Sequence, residues 1–303
     1  VKTGKQLWEY EVRDPYGLSE MWQKEFAGDT WAIVPLFITD RKVYLGHDEH
    51  SPNNPLPRGA PFICLDIDTG KEIFRVNGLF RQSRWGGRAI IADSIILTQD
   101  TYDQRVYAIG KGPTQTTVEA PSVGVSVGQA ITIRGKVIDI SPGTRDTAIQ
   151  LRFPNGVPAV ADECMGEWML YVYKQFPRPA NVKGVWVKLD AVNVYTGEYI
   201  DIGGTFTDET GFFTASWQPP KEGLWKIIAS FPGSKSYWPS CAHTSIVVTA
   251  PLPAPTPASP EEVQTVKSSI DAITPLINAL LILVIIAIIT SIYSIYDHRK
   301  LKK

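Results

Sequence analysis

Residues 207–237 read TDETGFFTASWQPPKEGLWKIIASFPGSKSY. Thr207-Asp208-Glu209-Thr210-Gly211 is a hairpin turn, and Trp217 before Pro219-Pro220, followed by Gly223 and Trp225, marks a second. Aromatic and β-branched runs between such turns read as strands, because these side chains pack well on a pleated, half-buried surface. The same rhythm extends outward. AITIRGKVID (130–139), VKGVWVKLDAVN (182–193) and EYIDIGGTFTD (198–208) precede the stretch, and TSIVVTA (244–250) follows it. Strands recurring about every ten residues predict a β-sandwich over residues 113–250 and a mainly β fold class.

One segment breaks the rhythm. Residues 144–180 form an insert whose centre, DECMGEWMLYVYKQF, reads as a helix near 160–176. Met165, Trp168, Met169, Val172 and Phe176 fall on one helical face. That face is either an exposed docking surface or the packed side of a helix lying on the sandwich. The remaining segments resemble the immunoglobulin-like domains of bacterial and archaeal surface proteins, the likeness being carried by residues 207–237. It speaks to fold and little to ligand.

The chain has three cysteines, Cys64, Cys164 and Cys241, with no CxxC spacing and hence no zinc or redox motif. Cys164 begins the predicted helix and Cys241 precedes the last strand. In an extracellular compartment the two are expected to form a disulfide or to stand as separate thiols. Cys64, in the apolar run PFICLDI, is expected to be a buried, inert thiol.

The N-terminal third contains a repeat. Thr3-Gly4-Lys5-Gln6-Leu7-Trp8 recurs as Thr69-Gly70-Lys71-Glu72-Ile73-Phe74. The second copy in full, FICLDIDTGKEIFRV, is a strand, a turn and a strand bearing an aromatic; the structural positions of the motif are Thr3, Gly4, Trp8, Thr69, Gly70 and Phe74. WAIVPLFITD and RKVYLGHDE add two strands between the copies, and GRAIIADSIILTQDTYDQRVYAIGKG adds three more. The pattern resembles the PQQ-binding-like β-propeller repeat. The stretches GHDEHSPNNPLPRGAPFICLDIDTGKEIF and GGRAIIADSIILTQDTYDQRVYAIGKGPTQTTVEAP look like a family of archaeal surface proteins. Those carry a propeller, an Ig-like domain and a C-terminal membrane helix in that order. The resemblance implies that residues 1–112 are a partial propeller of about two and a half blades, against roughly four to eight in a closed one. The chain is therefore expected to be a fragment of a longer protein, or to pair with another chain. Val1-Lys2-Thr3-Gly4 is not a signal peptide, so the missing blades and the signal are expected upstream.

After the sandwich comes a Pro-rich stalk, PLPAPTPASP (251–260), five prolines in ten residues, which extends about 30 Å as polyproline II. A juxtamembrane helix is expected over 261–275, with Ser259 as N-cap, Pro260 as first helical residue and Glu262 as capping-box partner. Val263, Val266, Ile270 and Ile273 form a stripe that suits either a membrane surface or a homo-oligomer. Pro275 is expected to kink the junction. Leu276 to Tyr296 carries no charge and, at 1.5 Å per residue, spans about 30 Å, the thickness of a hydrocarbon core. The tail 297–303, DHRKLKK, is basic and therefore expected to be cytoplasmic, leaving the N-terminal bulk extracellular at the cell membrane.

Charge is balanced, 30 Lys+Arg against 31 Asp+Glu, which argues against nucleic acid as a partner. No catalytic or cofactor-binding residue stands out: GxSxG, HExxH and a phosphate loop are all missing from the sequence. The densest polar cluster is Gly46-His47-Asp48-Glu49-His50. His47 and His50 are weak metal candidates, since positions i and i+3 of a strand face opposite ways; the alternative is the start of a solvated loop. The expected function is a membrane-anchored extracellular binding or structural protein of the cell envelope, with an envelope protein or a glycan as partner and no cofactor. One alternative is a membrane-tethered quinone-dependent dehydrogenase, for which the resemblance would require PQQ and calcium. Another is an envelope assembly scaffold.

Overall fold

The turn that repeats in the sequence is the joint around which the N-terminal sheet is built. A computed structural model describes residues 3–13, 31, 33–49, 60–78, 82–83, 89–100, 103–251 and 258–300. Strands β1 (Ile33–Thr39), β2 (Lys42–Glu49), β3 (Phe62–Asp66) and β4 (Glu72–Val76) form an antiparallel meander, and β5 (Gln82–Ser83) runs parallel to the end of β2. Between β3 and β4, Asp66 Oδ1 accepts the amides of Asp68 (3.1 Å) and Thr69 (2.8 Å) and the Thr69 hydroxyl (2.9 Å). Gly70 closes the turn with its N–H on the Asp66 carbonyl, at φ +68°. A Cβ at Gly70 would lie 2.6 Å from the Trp8 ring, and Trp8 Nε1 donates to the Ile67 carbonyl at 2.8 Å. The aromatic of the first motif copy thus seats on the turn of the second.

A second meander, β6 (Ile90–Ala92), β7 (Ile95–Asp100) and β8 (Arg105–Ile109), stacks on one face of the first. The shared core holds Tyr44, Phe62, Cys64, Val76, Ala89 and Ile96, with Phe74, Tyr107 and Ile109 at its margin. On the other face of the first meander, Val43, Leu45, Ile63 and Leu65 are covered by Trp8, Val12 and Trp31. Alternation along the strands sends successive side chains to these two faces, so both are apolar. Two stacked meanders are present; a propeller is not shown.

The remaining strands make two facing sheets. β9 (Thr114–Glu119), β10 (Val125–Ser126), β11 (Ile131–Asp139), β12 (Val157–Pro158), β13 (Trp186–Asn193), β14 (Tyr199–Phe206), β15 (Phe212–Trp217), β16 (Gly223–Phe231) and β17 (Ser240–Thr249) follow in the chain. One sheet has the order β10-β17-β16-β13-β14. In the other, β11 lies between β9 and β15, with β12 beside its end. One core joins them: Ile133, Val137, Phe213 and Trp217 meet Val187, Leu189, Trp225, Ile227 and Ile246. Trp217 and Trp225 cross edge-to-face at 5.8 Å, and Trp225 Nε1 donates to the Lys221 carbonyl in the Pro-Pro hairpin.

The insert between β11 and β13 holds α1 (Thr147–Arg152) and α2 (Met165–Lys174). Of the two alternatives for the helix of the insert, the packed one is found. Trp168 and Val172 pack with Ile149, Val157 and Val160, while Leu170 enters the core shared by the two meanders. Met165, Met169 and Phe176 are half-buried. Residues 1–251 form one compact unit and 252–303 another.

In the second unit, α3 runs from Pro260 to Lys300. Its start is the expected capping box: Glu262 N–H donates to Ser259 Oγ (3.2 Å) and Ser259 N–H to Glu262 Oε2 (2.8 Å). The separate helices expected over 261–275 and 276–296 are one helix that passes through Pro275. Proline removes only one helical donor, and the neighbouring Thr274 hydroxyl bonds the Ile270 carbonyl at 2.7 Å. Thr290 and Ser291 likewise turn their hydroxyls onto the helix's own carbonyls, so neither exposes an unmet donor along the apolar stretch.

Gly70→Ala forces both a left-handed residue with a side chain and a clash with Trp8. It should lower stability by about 1–3 kcal/mol. Thermal unfolding of the full chain in detergent micelles checks this; an unchanged midpoint would contradict the seating of Trp8.

Candidate binding cleft

The two meanders and helix α2 enclose a cleft of about 900 Å³. Several chain segments supply its walls. The N-terminal segment brings Tyr10 and Arg13, β4 brings Glu72, Phe74 and Arg75, and the start of α2 brings Met165, Gly166 and Met169. The backbones of β4 and α2 approach closely because Gly166 has no side chain: a Cβ there would sit 2.7 Å from the Arg75 carbonyl oxygen.

Arg75 organises the polar wall. Its guanidinium is largely buried and donates to the Arg13 carbonyl and the Tyr10 hydroxyl, both at 2.8 Å, with Glu72 Oε2 at 3.3 Å. Tyr10 in turn donates to Glu72. Burial pushes the Tyr10 phenol up, and the bond to Glu72 adds to this, so the group stays a neutral donor. Opposite lies Asp162, which accepts the Ser234 hydroxyl (2.8 Å) and the amides of Lys235 and Ser236 (both 2.9 Å). Burial pushes the Asp162 carboxyl up, but these bonds outweigh it and hold the group below the ordinary carboxylate range. Glu11, Arg13, Glu163 and Lys235 stand at the mouth, exposed and of both signs, over a floor of Phe74, Ile96 and Leu170. A half-apolar floor with convergent polar groups suits ligand binding.

Below the cleft, α2 is fastened by charge. The Lys174 ammonium donates to Asp100 Oδ2, with both side chains under 5% exposed, and Asp103 Oδ2 lies 3.3 Å away. The same ammonium sits 5.0 Å over the Tyr107 ring, whose hydroxyl donates to Asp103. Burial, with that bond second, pushes the Tyr107 phenol up.

The residues singled out in the sequence lie elsewhere. His47 is buried in β2 with its ring edge-on to Trp31 at 5.1 Å, a packing position, and His50 lies outside the described residues. Among the described residues no group of three or more His, Cys, Asp or Glu side chains is placed to hold a metal ion. The expected Cys164–Cys241 disulfide is not formed: all three cysteines are free thiols. Cys164 Sγ accepts the Lys183 amide at 3.4 Å, whereas strand alternation turns Cys241 out of β17 into solvent. Thr69, Gly70 and Trp8 meet in the β3–β4 turn, Phe74 lines the cleft, and Gly4 takes φ +64° in the first copy. Arg75, Asp162 and the Lys174–Asp100 pair were missed by sequence reasoning. The available signal was a lysine and an aspartate at core positions of otherwise apolar elements.

No family model matches the chain, and no curated protein matches it. Among solved structures, it is similar to superoxide reductase (neelaredoxin) from Ignicoccus hospitalis T24K and from Ignicoccus hospitalis. Each is 13% identical, over 45% of this chain and 80% of theirs, with TM-scores of 0.27 and 0.26. Likeness at that level carries no argument about function.

Lys174→Met or Asp100→Leu alone leaves a buried charge without its main partner and should destabilise the chain by about 3–5 kcal/mol. The double variant should recover most of that loss in urea unfolding; additive losses would contradict a paired role. A second outcome concerns pH. Because the folded-state pKa of Asp162 is depressed, its contribution is complete above the unfolded value of about 3.9 and is lost as pH falls through the lower folded value. Asp162→Asn should therefore flatten the acid limb of the stability–pH curve, and an unchanged slope would contradict the assignment.

Proposed function

We propose that this chain is a single-pass membrane protein of the cell envelope whose β-rich unit, residues 1–251, binds an envelope protein or glycan outside the cell. The observation that carries the reading is α3. Over Pro260–Ile295 it is long and apolar enough to cross a membrane: an 18-residue stretch of it has mean hydropathy 2.8, and none of that stretch is buried in the protein. A core helix hides such a surface, while lipid is the solvent that suits it. The basic tail, with Arg299, Lys300, Lys302 and Lys303, supports a cytoplasmic C-terminus.

The two-sheet arrangement, with β10 parallel to β17 and β11 between β9 and β15, supports reading residues 113–250 as an immunoglobulin-like sandwich. The stacked meanders and the shared Thr-Gly motif support reading residues 1–112 as blades of a propeller-like array. The cleft beside Arg75 supports binding rather than chemistry. Its buried charged groups are committed to structural bonds, and the exposed charges at its mouth are of both signs, which suits a polar ligand.

The test is expression of the chain behind a cleavable secretion signal with tags at both ends. Alkaline extraction should leave it in the membrane, and protease added to intact cells should digest the part before α3 while sparing the C-terminal tag. Release by alkali would overturn the anchor, and digestion of the C-terminal tag alone would reverse the orientation.

A further inference from the structure

Ahead of its uncharged stretch, helix α3 carries a narrow apolar seam on an otherwise polar surface. From Glu261 to Thr274 the seam is Val263, Val266, Ile270 and Ile273, each more than half exposed. The spacing is 3-4-3, and every other residue of that stretch except Ala272 is polar. An apolar stripe confined to the a and d positions of a heptad is the seam of a coiled coil, narrower than the face a helix turns to a globular core. It is also unlike a helix lying on a bilayer, which has a broad apolar face and a polar face rich in Lys and Arg. Here Glu261, Glu262 and Asp271 outnumber Lys267.

The seam does not stop at Pro275. Because α3 is one helix from Pro260 to Lys300, the same spacing runs on through Ile277, Leu280 and Val284 and ends on the small residues Ala287, Ser291 and Ser294. Val263, Ile270 and Ile277 fall at a, and Val266, Ile273 and Leu280 at d. Pro275 falls at f, the position farthest from the seam, so its ring and its missing N–H stay clear of it. In lipid, small residues let helix backbones approach closely. Ser291 brings no unmet donor to such a contact, since its hydroxyl bonds the Ala287 carbonyl at 2.7 Å.

The flanking charges fix the register. Glu262 stands at g and Lys267 at e. Five residues apart, they lie on different sides of one helix and are not neighbours within it. In a parallel coil the g residue of one strand meets the e residue five positions on in its neighbour, so Glu262 faces the Lys267 of another copy. The capping box engages Oε2 of Glu262, and the carboxylate has a second oxygen for this contact.

We propose that α3 forms a parallel, in-register coiled coil with the same helix of other copies of this chain, continuous from the turns before Leu276 into the apolar stretch. Another copy supplies the same seam and the opposite charge at each flank, so the surface is complementary to itself. The inference rests on the membrane reading of α3 for its orientation, because copies inserted the same way are parallel. β-branched side chains at both a and d favour three strands over two.

The test is a scan of positions 263–274, one added cysteine at a time, in the full-length chain carrying Cys241→Ser to remove the exposed thiol. Isolated membranes are oxidised and the products resolved without reductant. Disulfide-linked product of twice the chain mass should peak at Val263, Val266, Ile270 and Ile273. Ser268→Cys, on the far side of the helix, should stay at the level of Cys241→Ser alone. Same-residue disulfides along the seam require parallel strands in register. Lys267→Glu added to Val266→Cys sets like charges against each other and should cut the product about twofold, a difference that about 1 M salt should remove. A flat or empty scan, a peak on another face, a product containing a different protein, or indifference to Lys267→Glu would each overturn the proposal. Alkaline extraction of the same membranes reads the anchor separately: a chain released by alkali that keeps the 3-4 pattern would leave the coil standing and remove the membrane reading.

Discussion

The ammonium of Lys174, enclosed between Asp100 and Asp103 and roofed by Tyr107, fixes where helix α2 lies, and most of residues 1–251 follows from that position. The helix is an insert of the sandwich, yet the charge that holds its last turn comes from the hairpin between β7 and β8. A buried ion pair is a poor source of net stability but a strict requirement on geometry, because either partner alone would be a buried charge. With Lys174 in place, Leu170 enters the core of the meanders while Trp168 and Val172 pack with Ile149, Val157 and Val160 of the insert. Gly166 then permits contact with the backbone at Arg75, and the cleft is the space left between. One short helix thus contributes side chains both to the core of the meanders and to that of the insert.

The meanders show how a repeated motif becomes architecture. Its glycine allows the left-handed turn and leaves room for an indole, and its aromatic fills that room from the other copy. Phe74, the aromatic of the second copy, reaches the core shared with the next meander. Stacking of this kind buries one face of the second meander on the first.

Much of this was legible from residue order alone. Strand positions over 207–249, the helix in the insert, the capping box at Ser259 and the apolar stretch of α3 all came from local periodicity and local turn chemistry. What was not legible was long-range. A helical period marks which face is apolar, but it cannot show that α2 is buried on two sides or that Lys174 is neutralised by a residue 74 positions earlier. The proposed Cys164–Cys241 bridge failed because it assumed proximity where alternation along β17 turns Cys241 outward. Pro275 did not interrupt α3, since losing one hydrogen bond is tolerable in a helix otherwise continuous. His47, only a weak metal candidate in the sequence, is a buried residue beside Trp31.

The account rests on α2 making the meanders and the sandwich one cooperative structure. Native-state hydrogen exchange of the full chain in detergent micelles measures that directly. Amides of β7 and β8 on one side, and of β13 and β16 on the other, should exchange through one opening of common free energy, and Lys174→Met should lower both together. Two distinct opening free energies, with Lys174→Met lowering only that of the meanders, would contradict it.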